Sequence, residues 1–390
     1  MIDLREYGGF AEDPHPVYAE LRALGPVHRV RLPAPDEGHE TWLVVGYEEA
    51  RAALADQRLA KNADTAGFAF FGEELIGEHM LLSDPPQHTR LRTLIAGEFT
   101  GRRVAALRPR VQEITDELLD AMLPLGRADL VESFAYPLPL TVICELLGVP
   151  GPDRAAFRAL STETVAPTSA ESHEKAFVEL AAYLGDLIED KRCAGPTDDL
   201  LSGLIRTTAE DGDRLSPREL RGMAFLLLVA GHETTVNLIT GVVRSLIGHP
   251  DQFAALRADM TLLDGTIEET LRHDGPVENA TFRYAAEPVD IGGTAIAAGE
   301  EVMICLSAAD RDAARYPAPD RFDLRRETRG HLAFGHGIHY CLGAPLARLE
   351  AQVALRSLLE RCPDLTLDGP PGGWLPGMLM RGVRHLPVRW

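Results

Sequence analysis

The chain has 390 residues, 45% hydrophobic and 25% charged, with a formal net charge of −20. That length holds a large core, and the acidic balance argues against nucleic acid or an anionic membrane surface as partner, since both select cationic patches. Five cysteines, at 144, 193, 305, 341 and 362, show neither CxxC nor zinc spacing, as expected of a protein from a reducing cytoplasm.

Met1 to Glu6 is charged and lacks the apolar core of a secretory leader. The longest apolar run, 223–230, is too short to span a bilayer. A short helix is expected over 17–24, a strand over 39–46 from its β-branched and aromatic content, and a helix over 47–55. Residues 63–82 are rich in Gly and Phe with weak periodicity. Phe68, Phe70, Phe71, Met80 and Leu81 are too apolar for a plain surface loop, and long irregular segments inside compact domains tend to be functional.

Pro85 and Pro86 precede a helix start at which His88 and Arg92, four apart, share one face. Two donors on one face can clamp an anion, although a basic helix face is more commonly just solvated. Residues 99–111 hold Arg102, Arg103, Arg108 and Arg110 and no acid. Charge scatter and a docking patch for an acidic partner both fit that pattern. Helices are expected over 111–124 and 138–147. Two more lie between 157 and 192, broken at Ala166-Pro167-Thr168-Ser169, and turns follow at 194–199 and 211–213.

Ser216-Pro217-Arg218-Glu219 is a capping box. The helix it opens runs to Gly248-His249-Pro250, roughly 45 Å at 1.5 Å per residue, and must be buried along much of its length. Its middle, Ala230-Gly231-His232-Glu233-Thr234-Thr235, is polar. Gly in a helix interior costs about 1 kcal/mol against Ala, and a buried Glu costs more unless paired or protonated. Such a defect points to a site; the plainer alternative is that His232 and Glu233 hydrogen-bond to a loop. His232-Glu233 opens an HExxH pattern, but Val236 stands where the second zinc ligand is needed.

Residues 266–273 read as a helix in which Glu269 and Arg272, three apart, would by default be a surface pair. Residues 276–284 and 289–306 alternate and carry Gly292-Gly293, as hairpin strands do. Beyond Pro317-Ala318-Pro319-Asp320-Arg321-Phe322 comes Phe334-Gly335-His336-Gly337-Ile338-His339-Tyr340-Cys341-Leu342-Gly343, a Gly-rich loop ahead of a helix expected over 344–359. Glycines there let the backbone approach something flat. A cysteine before a helix start meets amide N–H groups that favour its thiolate. That thiolate could be a nucleophile, a metal ligand or an axial haem ligand, whereas most lone cysteines are small buried hydrophobes. A dinucleotide fingerprint fails because Tyr340 stands where the third glycine is needed.

The pattern Phe-Gly-x-Gly-x-His-x-Cys-x-Gly resembles the haem-binding signature of the cytochromes P450 at every position, a family whose iron is ligated by a cysteine thiolate. The resemblance runs from about Pro14 to Trp390, with four motifs in the family's order. It implies a mainly α fold, a helical triangular domain with a small β-rich region, as one domain over 1–390. It implies haem b ligated through its iron by Cys341, with Phe334, Gly335, Gly343, Ala230 and Gly231 against it. His88, Arg92, Arg283 and His339 would hold its propionates.

Glu233 and Thr234 match the family's acid–alcohol pair, which relays protons to dioxygen. The family's peroxygenases carry Arg-Pro there, so the match implies a monooxygenase fed by redox partners. Glu269, Arg272 and Arg321 would form a buried network behind the cysteine loop, with Asp320 departing from a more common Glu. Val229, Ala230, Val277, Ala280, Thr281, Met378 and Leu379 would face substrate, under the 63–82 loop and the 157–192 lid. The implied reaction is hydroxylation of a small to medium hydrophobic secondary metabolite, such as a polyketide, macrolide or terpenoid. Electrons would come from NAD(P)H through a ferredoxin reductase and an acidic ferredoxin docked near Arg102, Arg103, Arg108 and Arg110. A monomer is the family's default. Epoxidation, desaturation or oxidative coupling at the same site, and haem binding without turnover, are the alternatives; a pure binder has no need of Glu233-Thr234.

Overall fold

The computed structural model describes residues 1–33, 38–62, 76–151, 154–165, 169–195, 197, 199–206 and 214–390. Phe68, Phe70, Phe71, Ala166, Pro167, Thr168 and the 211–213 turn lie outside the described residues. The helices that bear on the site are α1 (His15–Leu24), α2 (Tyr47–Ala55), α3 (Gln87–Ala96), α4 (Arg108–Met122), α5 (Pro137–Leu147), α6 (Arg154–Val165), α7 (Ala170–Ala194), α8 (Pro217–Ala230), α9 (Glu233–Gly248), α10 (Leu263–Asp274) and α11 (Ala344–Arg361). Helices α1, α4, α5, α8 and α11 each carry a proline in the first turn, where its missing N–H has no intrahelical partner to lose.

The capping box forms as the sequence requires. Ser216 Oγ accepts from the Glu219 N–H at 3.2 Å, and the Glu219 carboxylate accepts from the Ser216 N–H at 2.7 Å. The helix it opens is not continuous, because Gly231 and His232 form a turn between α8 and α9. Among the described residues, Pro217–Gly248 is long and apolar enough to cross a membrane, yet 78% of its apolar window is buried. A search for uninterrupted apolar runs misses it because Gly, His and Thr punctuate it. Its burial is that of a core helix: α8 and α9 supply much of the main apolar core, shared with α4, α5, α7, α10 and α11.

The β-rich region is built from β1 (Ile2–Asp3), β2 (Val27–Arg31), β3 (Glu40–Val44), β4 (Leu59–Ala60), β5 (Arg283–Ala285), β6 (Val289–Ile291), β7 (Thr294–Ile296) and β8 (Glu301–Ile304). One six-stranded sheet has the order β1-β2-β3-β8-β5-β4. Trp42 pairs in parallel with Val302, and Val302 pairs antiparallel with Arg283, so the sheet places Arg283. Strands β6 and β7 form the hairpin closed by Gly292-Gly293. Residues 276–282, expected as strand, contribute only the isolated bridges Val277–Met380 and Asn279–Cys305. The Glu278 N–H bonds to the Leu379 carbonyl and the Ala280 N–H to that of Ile304, both at 2.9 Å, so two different neighbours share this segment and neither continues as a partner strand.

Candidate active site

The cysteine loop rests on a buried ion pair. Glu269 and Arg272 on α10 are both fully buried. Arg272 Nε and Nη2 donate to the Glu269 carboxylate at 2.7 and 2.9 Å, and Nη1 donates to the Asp310 carbonyl at 3.0 Å. Buried charges persist only when every lone pair and proton is used. Glu269 also accepts from the Asp323 N–H at 2.9 Å and from Arg326 Nε at 3.1 Å. Arg326 in turn donates to the carbonyls of Pro317, Ala318 and Arg321 at 2.6, 2.9 and 2.8 Å.

Arg321 is not the third member of this network. Its side chain is 68% exposed, and its guanidinium lies 3.9 Å from the Asp323 carboxylate. The turn that bonds the Arg321 N–H to the Ala318 carbonyl at 3.1 Å brings the Arg321 carbonyl, and not its side chain, onto Arg326. Arg326, which no motif singled out, takes the inward place.

Asp310 carries this support to the loop. Its two carboxylate oxygens accept the Leu332 N–H at 2.8 and 2.9 Å. The Gly335 N–H then donates to the Leu332 carbonyl at 2.7 Å, and the Cys341 N–H to that of Phe334 at 2.9 Å. A second network was also illegible in the spacing. Glu268 accepts from Arg348 Nε and Nη2 at 2.6 and 2.9 Å and lies 3.0 Å from His331 Nε2. Burial alone would raise its carboxyl, but Arg348 and His331 hold it at about 2. The Arg348 guanidinium sits over the Phe334 ring at 4.5 Å.

Gly335 and Gly337 both have φ of +73°, which side chains adopt only with strain. A Cβ on Gly337 would also meet the Leu54 carbonyl at 2.8 Å, because the loop lies against the end of α2. The Cys341 side chain is exposed, yet the surrounding protein pushes its thiol up. The amides of Gly343 and Ala344 and the charges of Arg92 and Arg348 pull the other way. The helix-start effect is therefore present, but desolvation by the neighbouring protein outweighs it. A coordinated metal deprotonates such a thiol outright.

Donors with no acceptor gather beside this loop. His88 on α3 is 2% exposed, and among the described residues neither of its ring nitrogens has a hydrogen-bond partner. Its ring lies 4.3 Å from that of His339, whose Nε2 is also buried and unpartnered, as is Nε of Arg283. Arg283 spends Nη1 and Nη2 on the carbonyls of Leu59 and Leu54, at 3.2 Å each. Arg92 donates to the Tyr340 carbonyl at 2.8 Å, which ties α3 to the loop. Burial, then Arg283 and His88, drives His339 down to about 2. A cleft lined by Leu54, Asp84, Pro85, Arg283, Ile338 and His339 opens here. Buried donors without acceptors are costly, and this set fits a ligand bearing carboxylates, as haem does.

At the helix break Ala230 is exposed and Val229, Gly231 and Thr234 are half-buried, while the residues around them are buried. A Cβ on Gly231 would clash with the Leu227 carbonyl and meet the Ile143 side chain at 2.9 Å, so close packing favours the glycine. Thr234 Oγ1 donates to the Ala230 carbonyl at 3.3 Å. Glu233 is 7% exposed and accepts from the Thr162 hydroxyl at 3.2 Å. His232 faces the packed interior and not a loop: Nδ1 lies 2.8 Å from the Leu228 carbonyl, and Nε2 lies 3.1 and 3.3 Å from the Ser161 and Tyr136 hydroxyls.

The expected pocket residues divide. Val277, Ala280 and Thr281 are half-buried, and Leu379 is 39% exposed beside them through its bond to Glu278. Met378 departs from expectation. It is 5% exposed and packs in a separate core with Tyr18, Met303 and Cys305, because Asn279 Nδ2 holds its carbonyl at 2.6 Å. The Thr281 hydroxyl is taken by the buried Lys61 ammonium, which also donates to the Thr281 and Phe282 carbonyls at 2.9 and 2.7 Å. Of the four arginines, Arg103 pairs with Glu98, and Arg110 pairs with Glu145 and Glu113 at 2.9 Å each. Glu98 and Glu113 lie just outside the 99–111 window and Glu145 comes from α5, which is why the cluster looked uncompensated. Arg108 donates to Gln352 at 3.0 Å, and neither it nor Arg102 forms an ion pair among the described residues.

The profile of the family described as Cytochrome P450 matches residues 162–366. "Cytochrome P450 monooxygenase PikC" of Streptomyces venezuelae is 58% identical over 396 residues, covering 100% of this chain and 94% of that protein. "6-deoxyerythronolide B hydroxylase" of Saccharopolyspora erythraea is 46% identical, covering 98% of each. The structure of the tirandamycin C-bound P450 monooxygenase TamI superposes over 100% of both chains with a TM-score of 0.91 at 44% identity. With its fold and nearly its whole length shared with these enzymes, the chain belongs to the cytochrome P450 family as a bacterial monooxygenase of the actinobacterial type.

Proposed function

We propose that this single-domain protein hydroxylates a medium-sized hydrophobic secondary metabolite of the polyketide or macrolide kind, using haem b ligated by Cys341 and electrons from a ferredoxin. The observation that carries the site assignment is the set of buried, unpartnered nitrogens on His88, His339 and Arg283 beside the cysteine loop. These donors, with Arg92, would hold the haem propionates, and Cys341 would ligate the iron. Haem so bound supplies the activation of dioxygen. The chain's own residues do the rest.

Val229, Ala230, Val277, Ala280 and Leu379 present apolar surface for substrate. Gly231 keeps a side chain out of the break. Thr234 Oγ1, now donating to the Ala230 carbonyl, can accept a proton from Glu233 and pass its own forward. Glu233, held by Thr162, is the inner end of that relay. Arg102 and Arg108 would steer an acidic ferredoxin, while Arg103 and Arg110 contribute less because carboxylates already neutralise them. The substrate class is supported by the relatives named 6-deoxyerythronolide B hydroxylase and mycinamicin IV hydroxylase/epoxidase, at 46% and 44% identity.

The latter name also favours a second reading, in which the same site epoxidises. The nocardicin C N-oxygenase, 44% identical, likewise warns that the outcome varies on this scaffold. A reduced, CO-bound difference spectrum with the red-shifted Soret band, followed by product analysis with macrolactone substrates, tests the proposal. Lack of that band, or its survival in Cys341→Ser, overturns the thiolate assignment. Unchanged product yield per NAD(P)H in Thr234→Ala overturns the relay.

A further inference from the structure

The break between α8 and α9 deprives backbone carbonyls of the N–H groups that a continuous helix would supply. Side chains take their place. The Ala230 carbonyl accepts the Thr234 hydroxyl at 3.3 Å, and the Leu228 carbonyl lies 2.8 Å from Nδ1 of His232. A carbonyl only accepts, so Nδ1 carries the proton, and a neutral ring then presents a lone pair at Nε2. The ring has no solvent exposure, and burial lowers it to about 4, so it is neutral. Nε2 accepts from the hydroxyls of Ser161, at 3.1 Å, and Tyr136, at 3.3 Å. Glu233 Oε1 is 3.7 Å from the same nitrogen and accepts from Thr162 at 3.2 Å. Two adjacent residues at the break are thus tied to two adjacent residues of α6. Tyr136 and Phe157 enclose the imidazole edge-on, with ring centroids at 5.6 and 6.0 Å.

We infer that His232 is a positioning residue for the oxygen-side notch: its Nδ1–H replaces the missing backbone donor at Leu228, and its Nε2 pins the break to α6 and Tyr136. Fully buried, it touches no ligand. It acts through Thr234 and Glu233, whose places depend on where the break is held. The inference rests on the proposal that haem lies between this break and Cys341.

The test uses carbon monoxide as the probe, on the reduced holoprotein. In His232→Phe a flat aromatic ring, somewhat larger than imidazole, is kept while both hydrogen-bonding edges go. The C–O stretching band is expected to shift and broaden, because the dipoles lining the notch lose their fixed places, while the red-shifted Soret band stays, since Cys341 is untouched. Amide exchange over 229–235 is expected to quicken at least about tenfold, which loss of a single ordinary hydrogen bond would already give. His232→Asn, whose amide nitrogen can reach the Nδ1 position, is expected to restore the native stretch; His232→Gln, whose amide lies near the Nε2 position, is not. An unchanged stretch in His232→Phe with the red-shifted Soret band intact overturns the inference alone. Absence of that Soret band in the native protein overturns the reading beneath it as well. If His232→Phe yields no folded holoprotein, Asn and Gln decide: a native stretch in Asn only supports the inference, and equal or reversed behaviour overturns it.

Discussion

Two groups of buried cations and donors surround the cysteine loop, and they are satisfied differently. Behind the loop, Arg272 and Arg326 share Glu269, and Arg348 binds Glu268. At its edge, His88, His339 and Arg283 keep buried nitrogens with no partner among the described residues. An unsatisfied buried polar atom costs about 1–3 kcal/mol, so the edge group weakens the chain by itself and the group behind the loop does not. The contrast separates what builds the loop from what selects a ligand: satisfied charge fixes a backbone, and unpartnered buried nitrogens select what binds.

The largest expected effect comes from the satisfied group. Arg272→Ala leaves Glu269 buried with half its partners and is expected to cost about 3–5 kcal/mol, read as a fall in the denaturation midpoint together with loss of haem uptake. A variant that keeps both would mean that the pair is dispensable to the loop.

Acid sharpens the comparison next. Burial holds neutral His79 and His232 at about 4, below the usual 6.5. Their contribution is full above 6.5 and is lost as pH falls towards 4, because the unfolded chain binds those protons first. Glu268, held at about 2 against the usual 4.5, contributes above 4.5 and loses that contribution as pH falls towards 2. The contributions of these groups are therefore expected to be lost in two stages, and Glu268→Gln should flatten only the lower one. A flattened upper stage in that variant would contradict the assignment.

A change at the edge group should reverse sign with haem. His88→Phe removes two unpartnered nitrogens, so the haem-free protein is expected to gain about 1 kcal/mol, while the loaded protein loses haem faster to an apoglobin acceptor. Loss of stability in both states would place His88 in the satisfied class. The smallest effect belongs to Arg321→Ala, expected within about 0.5 kcal/mol, against a clear loss for Arg326→Ala; equal losses would restore Arg321 to the network.

Much of this fold was legible from periodicity and caps. The helices over 47–55, 138–147 and 344–359 formed close to their expected bounds because their apolar stripes repeat at 3.6 residues and prolines mark several starts. The 276–282 segment failed as a strand because alternation reports burial on a face and says nothing of whether one neighbour runs alongside. Arg321 and Arg326 could not be told apart because five residues of irregular chain decide which guanidinium turns inward. Met378 is as apolar as a pocket residue and as a core residue, and only packing chose between them.

The sequence by itself determined that a lone cysteine would stand in a Gly-rich loop ahead of a helix, and that a polar stretch would lie in the middle of a long apolar helix; that the helix breaks there, at Gly231-His232, came from the tertiary structure. Both are local patterns of residue size, backbone freedom and polarity. The tertiary structure alone decided which carboxylates meet which guanidiniums, which histidine nitrogens go unpartnered, and that His232 turns inward to Leu228, Ser161 and Tyr136. Those outcomes depend on contacts between residues far apart in the chain, whose geometry no single window of sequence contains.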